Sequence, residues 1–470
     1  MKSLKILAVT LMLAFPGRLP AQEPVQLDLV SSRRMALEHA QSIRIADAQI
    51  ARAQGERQAA RAAWWPDVSA SATAVYKKQE IREELYLPTQ VFNPATGELV
   101  PNVAMNPITG EPILGPDGNP VFNTYAYLPL DLTLNGIVLA GVTAQQPLYA
   151  GGRIDAGNRM ARIGVDMAET NRLLREGEVI FATDQAFYQH LAVGEKVKLA
   201  RQYKVLLDTL ERTVSDSYEL GMCNRNELLK VRVKRDEAAL QVQKAETGHV
   251  LTRMALCRIL GLDLDTPLAI RDSMETETEP WPGVDDLSPD SRLELLLLEK
   301  QSELAEQNIR LVRGEYLPAA GLSVGYNYLG VGLDGMDNFT NHGATLMANV
   351  QIPLVTFGER KGKVKAARAR LDEKQLEMEQ VRGYLQLEME QARLQYRDAL
   401  LRVELSRRAL EQAEENMRIS DDNYRLGMET VVDLLTARAE WQQAFSENLD
   451  ALANRNIQES NLLRIANRLE

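Results

Sequence analysis

The sequence predicts an α+β membrane protein in which four amphipathic strands of membrane length are joined to two pairs of very long helices. Three observations predict it. First, an export-type N-terminal segment is followed by no run of about 18 apolar residues, the length a spanning helix needs. Second, two pairs of segments alternate apolar and polar residues, the pattern of a strand with one apolar face. Third, Tyr218-Glu219-Leu220-Gly221-Met222, with Leu228-Leu229 and Arg232 after it, returns as Tyr424-Arg425-Leu426-Gly427-Met428, with Leu434-Leu435 and Arg438 after it. Each copy closes one long charged run and opens another. Glycine turns a chain out of a helix at little steric cost, so each copy reads as the tip of a helical hairpin. The chain is thereby expected to consist of two structural repeats.

Composition narrows the function classes. The chain has 470 residues, 45% apolar and 25% charged, which excludes wholesale disorder. Aromatic residues make up only 6%, which suits long helices with narrow seams. A net charge of -11 argues against a nucleic-acid partner, because phosphate contact needs a basic surface. Residues 1–21 read as a signal peptide: Lys2 and Lys5, an apolar run from Ile6 to Phe15, and Leu19-Pro20-Ala21 before the cut. Cys223 and Cys257 fall near opposite ends of one expected helix, roughly 50 Å apart at 1.5 Å per residue. A disulfide needs Cα atoms within about 7 Å, so they are not expected to pair within a chain.

The first repeat is placed at 22–261. Ser31 to Ala63 has helical periodicity and ends at Trp64-Trp65-Pro66. A strand follows, with Val68, Ala70, Ala72, Ala74 and Tyr76 on one side and Asp67, Ser69, Ser71 and Thr73 on the other. Residues 77–131 are rich in proline and read as a long surface loop. Within them Asn93-Pro94-Ala95-Thr96-Gly97-Glu98 recurs as Asn106-Pro107-Ile108-Thr109-Gly110-Glu111, repeated turn chemistry. Leu132 to Gln146 is the returning strand, with Val138, Ala140, Val142 and Ala144 in alternation. Pro147-Leu148 and Gly151-Gly152-Arg153 lead into a helix from Arg153 to about Val214, with its hairpin tip near 218–224. The return helix carries Leu228, Val231, Ala238, Val242, Ala245, Leu256 and Ile259 on a heptad seam and stops at Gly261.

Residues 262–289 read as a connector, including Trp281. The second repeat, 290–470, follows the same plan: a helix from Leu293 to Arg313, then Tyr316-Leu317-Pro318 and a strand through Leu322, Val324, Tyr326 and Tyr328. A short loop over 330–342 leads to a strand through Ala344, Leu346, Ala348, Val350 and Ile352. Pro353-Leu354 and Gly358-Glu359-Arg360 then echo Pro147-Leu148 and Gly152-Arg153 with one extra residue. Leu385, Met389, Ala392, Tyr396, Ala399, Val403, Ser406, Leu410, Ala413 and Met417 alternate spacings of four and three, a left-handed coiled-coil seam. The tip near 420–428 leads into a last helix to about Asn467, with Leu434, Ala437, Trp441, Ala444 and Ala451 on its seam.

Unpaired strand edges are not tolerated in lipid, and four strands cannot close a useful barrel. Sister copies must complete it. Three copies supply twelve strands, with twelve long helices beneath them forming a tube about 90 Å deep. The ordered, duplicated set of Trp65-Pro66, Pro147-Leu148…Gly151-Gly152-Arg153, Leu317-Pro318, Pro353-Leu354…Gly358-Glu359-Arg360 and the two Tyr-x-x-Gly tips resembles the TolC-like outer-membrane factors. These are the outer components of tripartite efflux pumps and type I secretion systems. The resemblance implies a homotrimer in the outer membrane of a Gram-negative cell, with a twelve-stranded β-barrel continued by an α-helical coiled-coil barrel in the periplasm. It also implies docking of a periplasmic adaptor (membrane fusion) protein at the tips, an inner-membrane pump beyond it, and no cofactor.

The resemblance carries over a periplasmic gate. Tyr424 matches a tyrosine that bonds the neighbouring hairpin. Glu227, beside Asn226, stands where its acidic partner is expected, and Asp433 matches an acid of the constriction. Two positions depart from the pattern: Glu429 replaces a linking arginine and Thr436 a second aspartate. Asp433 has a plainer reading, a solvated acid in a first helical turn, where the helix dipole favours it. Gly221, Met222, Gly427 and Met428 are the expected adaptor-docking tips; Trp64, Trp65 and Tyr316 suit an aromatic girdle in contact with outer-membrane lipid. His39, His190, His249 and His342 show no metal-ligand spacing, and no nucleophile elbow or phosphate loop appears, so no enzyme is expected. The rival expectations are a secreted coiled-coil scaffold without a pore and an exported binding module using the proline-rich segment.

Overall fold

The computed structural model describes residues 24–94, 96–274, 288–334 and 337–469. The signal segment 1–21 and Trp281 lie outside them. The chain divides into two compact units: residues 1–57, 159–307 and 366–470, and residues 58–158 and 308–365. Each is described in turn.

The first unit is helical. Its principal elements are α3 (Arg153–Glu219) and α6 (Glu359–Arg425), each 67 residues long, α4 (Arg225–Leu260) and α7 (Val431–Ile465). At 1.5 Å per residue the two longest run about 100 Å. The sequence placed the end of α3 near Val214, but apolar packing of Leu210 and Val214 carries it on to Glu219. Along α6 the seam read from the four-three spacing is the protected stripe. Leu385, Met389, Ala392, Tyr396 and Ala399 are buried, and Val403, Ser406, Leu410, Ala413 and Met417 are partly so. One core joins Tyr203, Leu207 and Val214 of α3 to Leu228 and Val231 of α4 and to Leu434 and Trp441 of α7. A second core is centred on Phe187 and Leu256, and a third on Tyr396 and Leu462. Gly261 stops α4 in the left-handed conformation, φ 72°, as its position suggested.

Two local expectations in this unit change. The single helix expected from Ser31 to Ala63 is two helices, α1 (Leu29–His39) and α2 (Gln41–Ala62), broken at Ala40. The break lets α1 turn its buried Ser32 and Ala36 inward while Arg33 reaches Asp184 on α3. The 262–289 connector is not wholly irregular. Its β7 (Leu268–Ile270) pairs in parallel with β1 (Val25–Leu27). Asp184 is fully buried and accepts two hydrogen bonds from Arg33, at 2.8 and 2.7 Å, and one from Ser460 of α7. Cys223 and Cys257 are both free.

The second unit is a sheet with helix ends. Its order is β2 (Asp67–Val75), β6 (Tyr125–Ala150), β8 (Ala319–Asp334), β9 (Phe339–Gln351), all antiparallel, with β2 and β9 at the edges. The strands outrun their expected limits. The 330–342 loop shrinks because Gly330 to Asp334 and Phe339 to His342 are strand. The 77–131 loop reading is also corrected. β3 (Gln79–Pro88) continues the line of β2 and pairs with Tyr125–Leu134 of β6. It was missed because its charged residues hide the alternation.

Between them, β4 (Gln90–Phe92) and β5 (Leu99–Pro101) form a small hairpin. The expected turns are present there, with Gly97 N–H bonded to Asn93 O and Gly110 N–H to Asn106 O. α5 (Leu293–Gly314) contributes residues to both units.

Candidate functional site

The register of the sheet sorts its side chains. Across the four strands Val68, Ala144, Val324 and Leu346 stand in one row, and Ala70, Val142, Tyr326 and Ala344 in the next but one. The intervening row is Ser69, Thr143, Gly325 and Thr345; the one beyond is Ser71, Gly141, Asn327 and Gly343. Through these four rows a two-residue period becomes one apolar and one polar face. The apolar face is uncovered within the chain: Val142 is 51% exposed, Tyr326 56% and Leu346 71%. Such a face in water would be an aggregation hazard, and among the described residues neither β2 nor β9 has a partner strand on its outer edge. On β8 the apolar stripe runs from Ala320 to Tyr328, about the nine to eleven residues that cross a bilayer as a tilted strand. No helix among the described residues is long and apolar enough to cross a membrane.

The expected girdle residues sit where chain enters strand. Trp64 and Trp65 are 52% and 74% exposed just before β2. Tyr316, before β8, donates its hydroxyl to Glu359 at 3.0 Å, and Lys363 lies over its ring.

The hairpin tips belong to the first unit. At the first, Met222 N–H bonds Ser217 O at 2.8 Å and Gly221 N–H bonds Tyr218 O at 3.0 Å. At the second, Met428 bonds Asn423 and Gly427 bonds Tyr424 at the same distances. This pair of bonds is a Schellman stop. It requires a left-handed residue, here Gly221 at φ 72° and Gly427 at φ 73°. Leu220, Met222, Leu426 and Met428 are left exposed at the ends.

The expected gate residues fall into two groups. Tyr424 is half-buried against the core that holds Leu228 and Val231 of the other hairpin. Burial pushes its hydroxyl pKa up, Cys223 and Glu227 add to this, and Arg438 opposes it. Glu227 Oε1 accepts its hydrogen bond from Asn224 Nδ2 at 3.0 Å, within its own hairpin. Asn226 and Thr436 line one open groove of 1020 Å³ between α4 and α7.

The other two residues are engaged within their own hairpin. Glu429 accepts from Ser420 Oγ and from Asn423 Nδ2, which ties the end of α6 to the turn. Asp433 closes a capping box, its Oδ2 accepting from Thr430 Oγ1 at 2.6 Å and from Thr430 N–H at 3.1 Å. These two bonds, the hydroxyl first, hold its carboxyl below its usual pKa.

Sequence reading gave Arg438 no role, although it marks both copies of the tip pattern. It is buried, donates to Leu206 O of α3 at 3.0 Å and to Asp421 Oδ1 at 2.6 Å, and so fastens the second hairpin to the first.

Comparison with known proteins adds two findings. Residues 288–468 match the family described as outer membrane efflux protein. In structure, a membrane protein from Pseudomonas aeruginosa superposes with a TM-score of 0.72 at 16% identity, over 93% of this chain and 90% of that one. The outer membrane protein VceC from Vibrio cholerae gives 0.71 at 17%, over 94% and 97%. The CmeC outer membrane channel of Campylobacter jejuni gives 0.71 at 15%, over 94% and 86%. The search of curated protein sequences gave no match. Residues 288–468 therefore carry the sequence pattern of the outer membrane efflux protein family, and nearly the whole chain shares its fold with these solved membrane proteins.

Proposed function

We propose that the protein is the outer-membrane channel subunit of a tripartite efflux or type I secretion system. Three copies pool their sheets into a twelve-stranded barrel, each β2 edge pairing with a neighbour's β9. The long helices continue as a coiled-coil barrel in the periplasm. The channel is a passive conduit that receives its cargo from a periplasmic adaptor and an inner-membrane pump, with the adaptor meeting the exposed tips at Gly221, Met222, Gly427 and Met428.

The observation that carries this reading is the antiparallel sheet of β2, β6, β8 and β9, with β3 in line with β2: its rows from Val68 to Ala344 give one exposed apolar face, and its outer edges have no partner strand among the described residues. A coiled-coil scaffold without a pore has no use for such a sheet. At the periplasmic end Tyr424, Glu227, Asn226, Glu429, Asp433 and Thr436 surround the constriction, with Asp433 supplying one acidic ring. Like charges brought together around an axis attract cations. The test is the mass of the detergent-solubilised protein and its conductance in planar bilayers. A trimer with stepwise conductance, blocked by multivalent cations in wild type and not in Asp433→Asn, is expected. A non-conducting monomer refutes the channel, and unchanged block in the variant refutes the ring.

A further inference from the structure

Phe357 occupies a position that the fold makes awkward. It precedes Gly358 at the entrance to α6, as Gly151 precedes Gly152 at the entrance to α3. All four residues are left-handed, with φ of 42°, 93°, 63° and 77° respectively. Glycine adopts this conformation freely, whereas a residue with a Cβ is strained in it. The first half uses glycine and the second uses phenylalanine. Nothing in the chain compensates, because the Phe357 side chain is 99% exposed. A strained aromatic residue with no internal contact points to a partner outside the chain.

The surroundings say which partner. The apolar face of β9 carries Ala344, Leu346, Ala348 and Val350, and the same alternation continues into Ile352 and Leu354, the latter 87% exposed. Val355 is exposed as well. Directly after this apolar margin the chain turns basic. Residues 359–370 hold six basic side chains and one acidic, in a chain whose net charge is -11. Lys363 is taken by Glu359 and Glu315. Arg360, Lys361 and Lys365 are exposed and form no ion pair among the described residues. An apolar band that ends in an aromatic anchor and then in free cations has the chemistry of a bilayer boundary.

We infer that residues 352–365 form a lipid-docking strap. Leu354, Val355 and Phe357 enter the edge of the hydrocarbon layer, and Arg360, Lys361 and Lys365 bind the phosphates of anionic phospholipid headgroups. The strap rests on the channel reading, because it takes the adjoining sheet face to be lipid-covered. A second copy of the chain is the competing occupant. The charge run disfavours it, since the chain approaching its own β2 edge is itself basic, with Arg52, Arg57 and Arg61 against Glu56.

The test uses the full chain in lipid-free detergent, titrated with fluorescent phosphatidylglycerol, with phosphatidylcholine, and with inorganic phosphate as competitor. Wild type is expected to bind phosphatidylglycerol saturably and phosphatidylcholine weakly. The variant R360Q/K361Q/K365Q loses affinity on the order of 100-fold, with a shallower salt dependence. Phe357→Gly, which suits the backbone, loses about tenfold, while Phe357→Trp retains binding. Oligomeric mass stays unchanged throughout. Equal binding of the two lipids, or an unaffected triple variant, overturns the inference. Dissociation of the assembly by Phe357→Gly also overturns it and assigns the residue to a neighbouring copy. Displacement by inorganic phosphate with no effect of Phe357→Gly overturns the lipid in favour of a simple anion. Failure of the channel reading is distinguished by planar-bilayer conductance of wild type, which does not depend on these variants.

Discussion

Val142 and Thr143 are consecutive residues of β6 on opposite faces of the sheet. Val142 lies between Ala70 and Tyr326 in the middle of the apolar stripe; Thr143 lies between Ser69 and Gly325 on the polar face. If the apolar face meets lipid and the polar face a water-filled lumen, arginine at the two positions has very different costs. At the bilayer midplane a lipid-facing arginine costs about 2–4 kcal/mol. A lumen-facing one costs roughly 0.5 kcal/mol or less, as for ordinary surface changes. The expected difference is about 2–3 kcal/mol per subunit, a factor of roughly 30–150 in the folding equilibrium of each. It is read from denaturant titrations of the protein folded into phospholipid vesicles, with Val142→Arg and Thr143→Arg compared. Equal costs, or a greater cost at Thr143, refute the assignment of faces and with it the barrel.

Other expectations concern the helical unit. Asp184→Ala strips the Arg33 guanidinium and Ser460 of a fully buried carboxylate, so a loss of about 3–5 kcal/mol is expected by chemical denaturation. Arg33→Met combined with Asp184→Leu should recover much of it. His190 is buried and stacked on His249 at 4.4 Å. Burial first, then His249 and Arg253, lowers its pKa to about 4. The unfolded chain binds that proton near pH 6.5 and the folded chain only near pH 4, so stability falls as pH drops through this window. The expected loss is about 2–3 kcal/mol in wild type, and His190→Phe should flatten the profile. At the tip, Gly427→Ala has open space around its Cβ yet a φ of 73°, so strain alone acts. A stability loss of about 1–2 kcal/mol is expected, read as a lowered thermal midpoint, with the equivalent loss for Gly221→Ala.

Much of this architecture was legible because periodicity reports burial. The four-three seam of α6 and the alternation of β2, β6, β8 and β9 each became a physical face. Glycines at the two tips and at Gly261 announced their left-handed stops. The misreadings have a common cause, tertiary contacts that leave little local trace. Ala40 breaks a helical pattern without proline or glycine because α1 packs on Asp184 and Phe187. β3 is written in glutamates, and β1 pairs with a strand more than 200 residues away. In the candidate gate, the family pattern named Asp433 and Glu429 but not how their carboxylates are used. Those depend on Thr430, Ser420 and Asn423. Arg438 was visible only as a repeated letter, since its partner Leu206 O is a backbone atom.

The account stands on β2 of one copy pairing with β9 of the next, and disulfide trapping tests this directly. In a chain with Cys223→Ser and Cys257→Ser, Ala72→Cys is combined in turn with cysteine at His342, Gly343, Ala344, Thr345 and Leu346. Within one chain the two edges are three strand spacings apart, about 14 Å, too far for a disulfide. The account predicts that one register gives covalent dimers and trimers on a non-reducing gel, and nothing larger. Monomers with free thiols at every register contradict it.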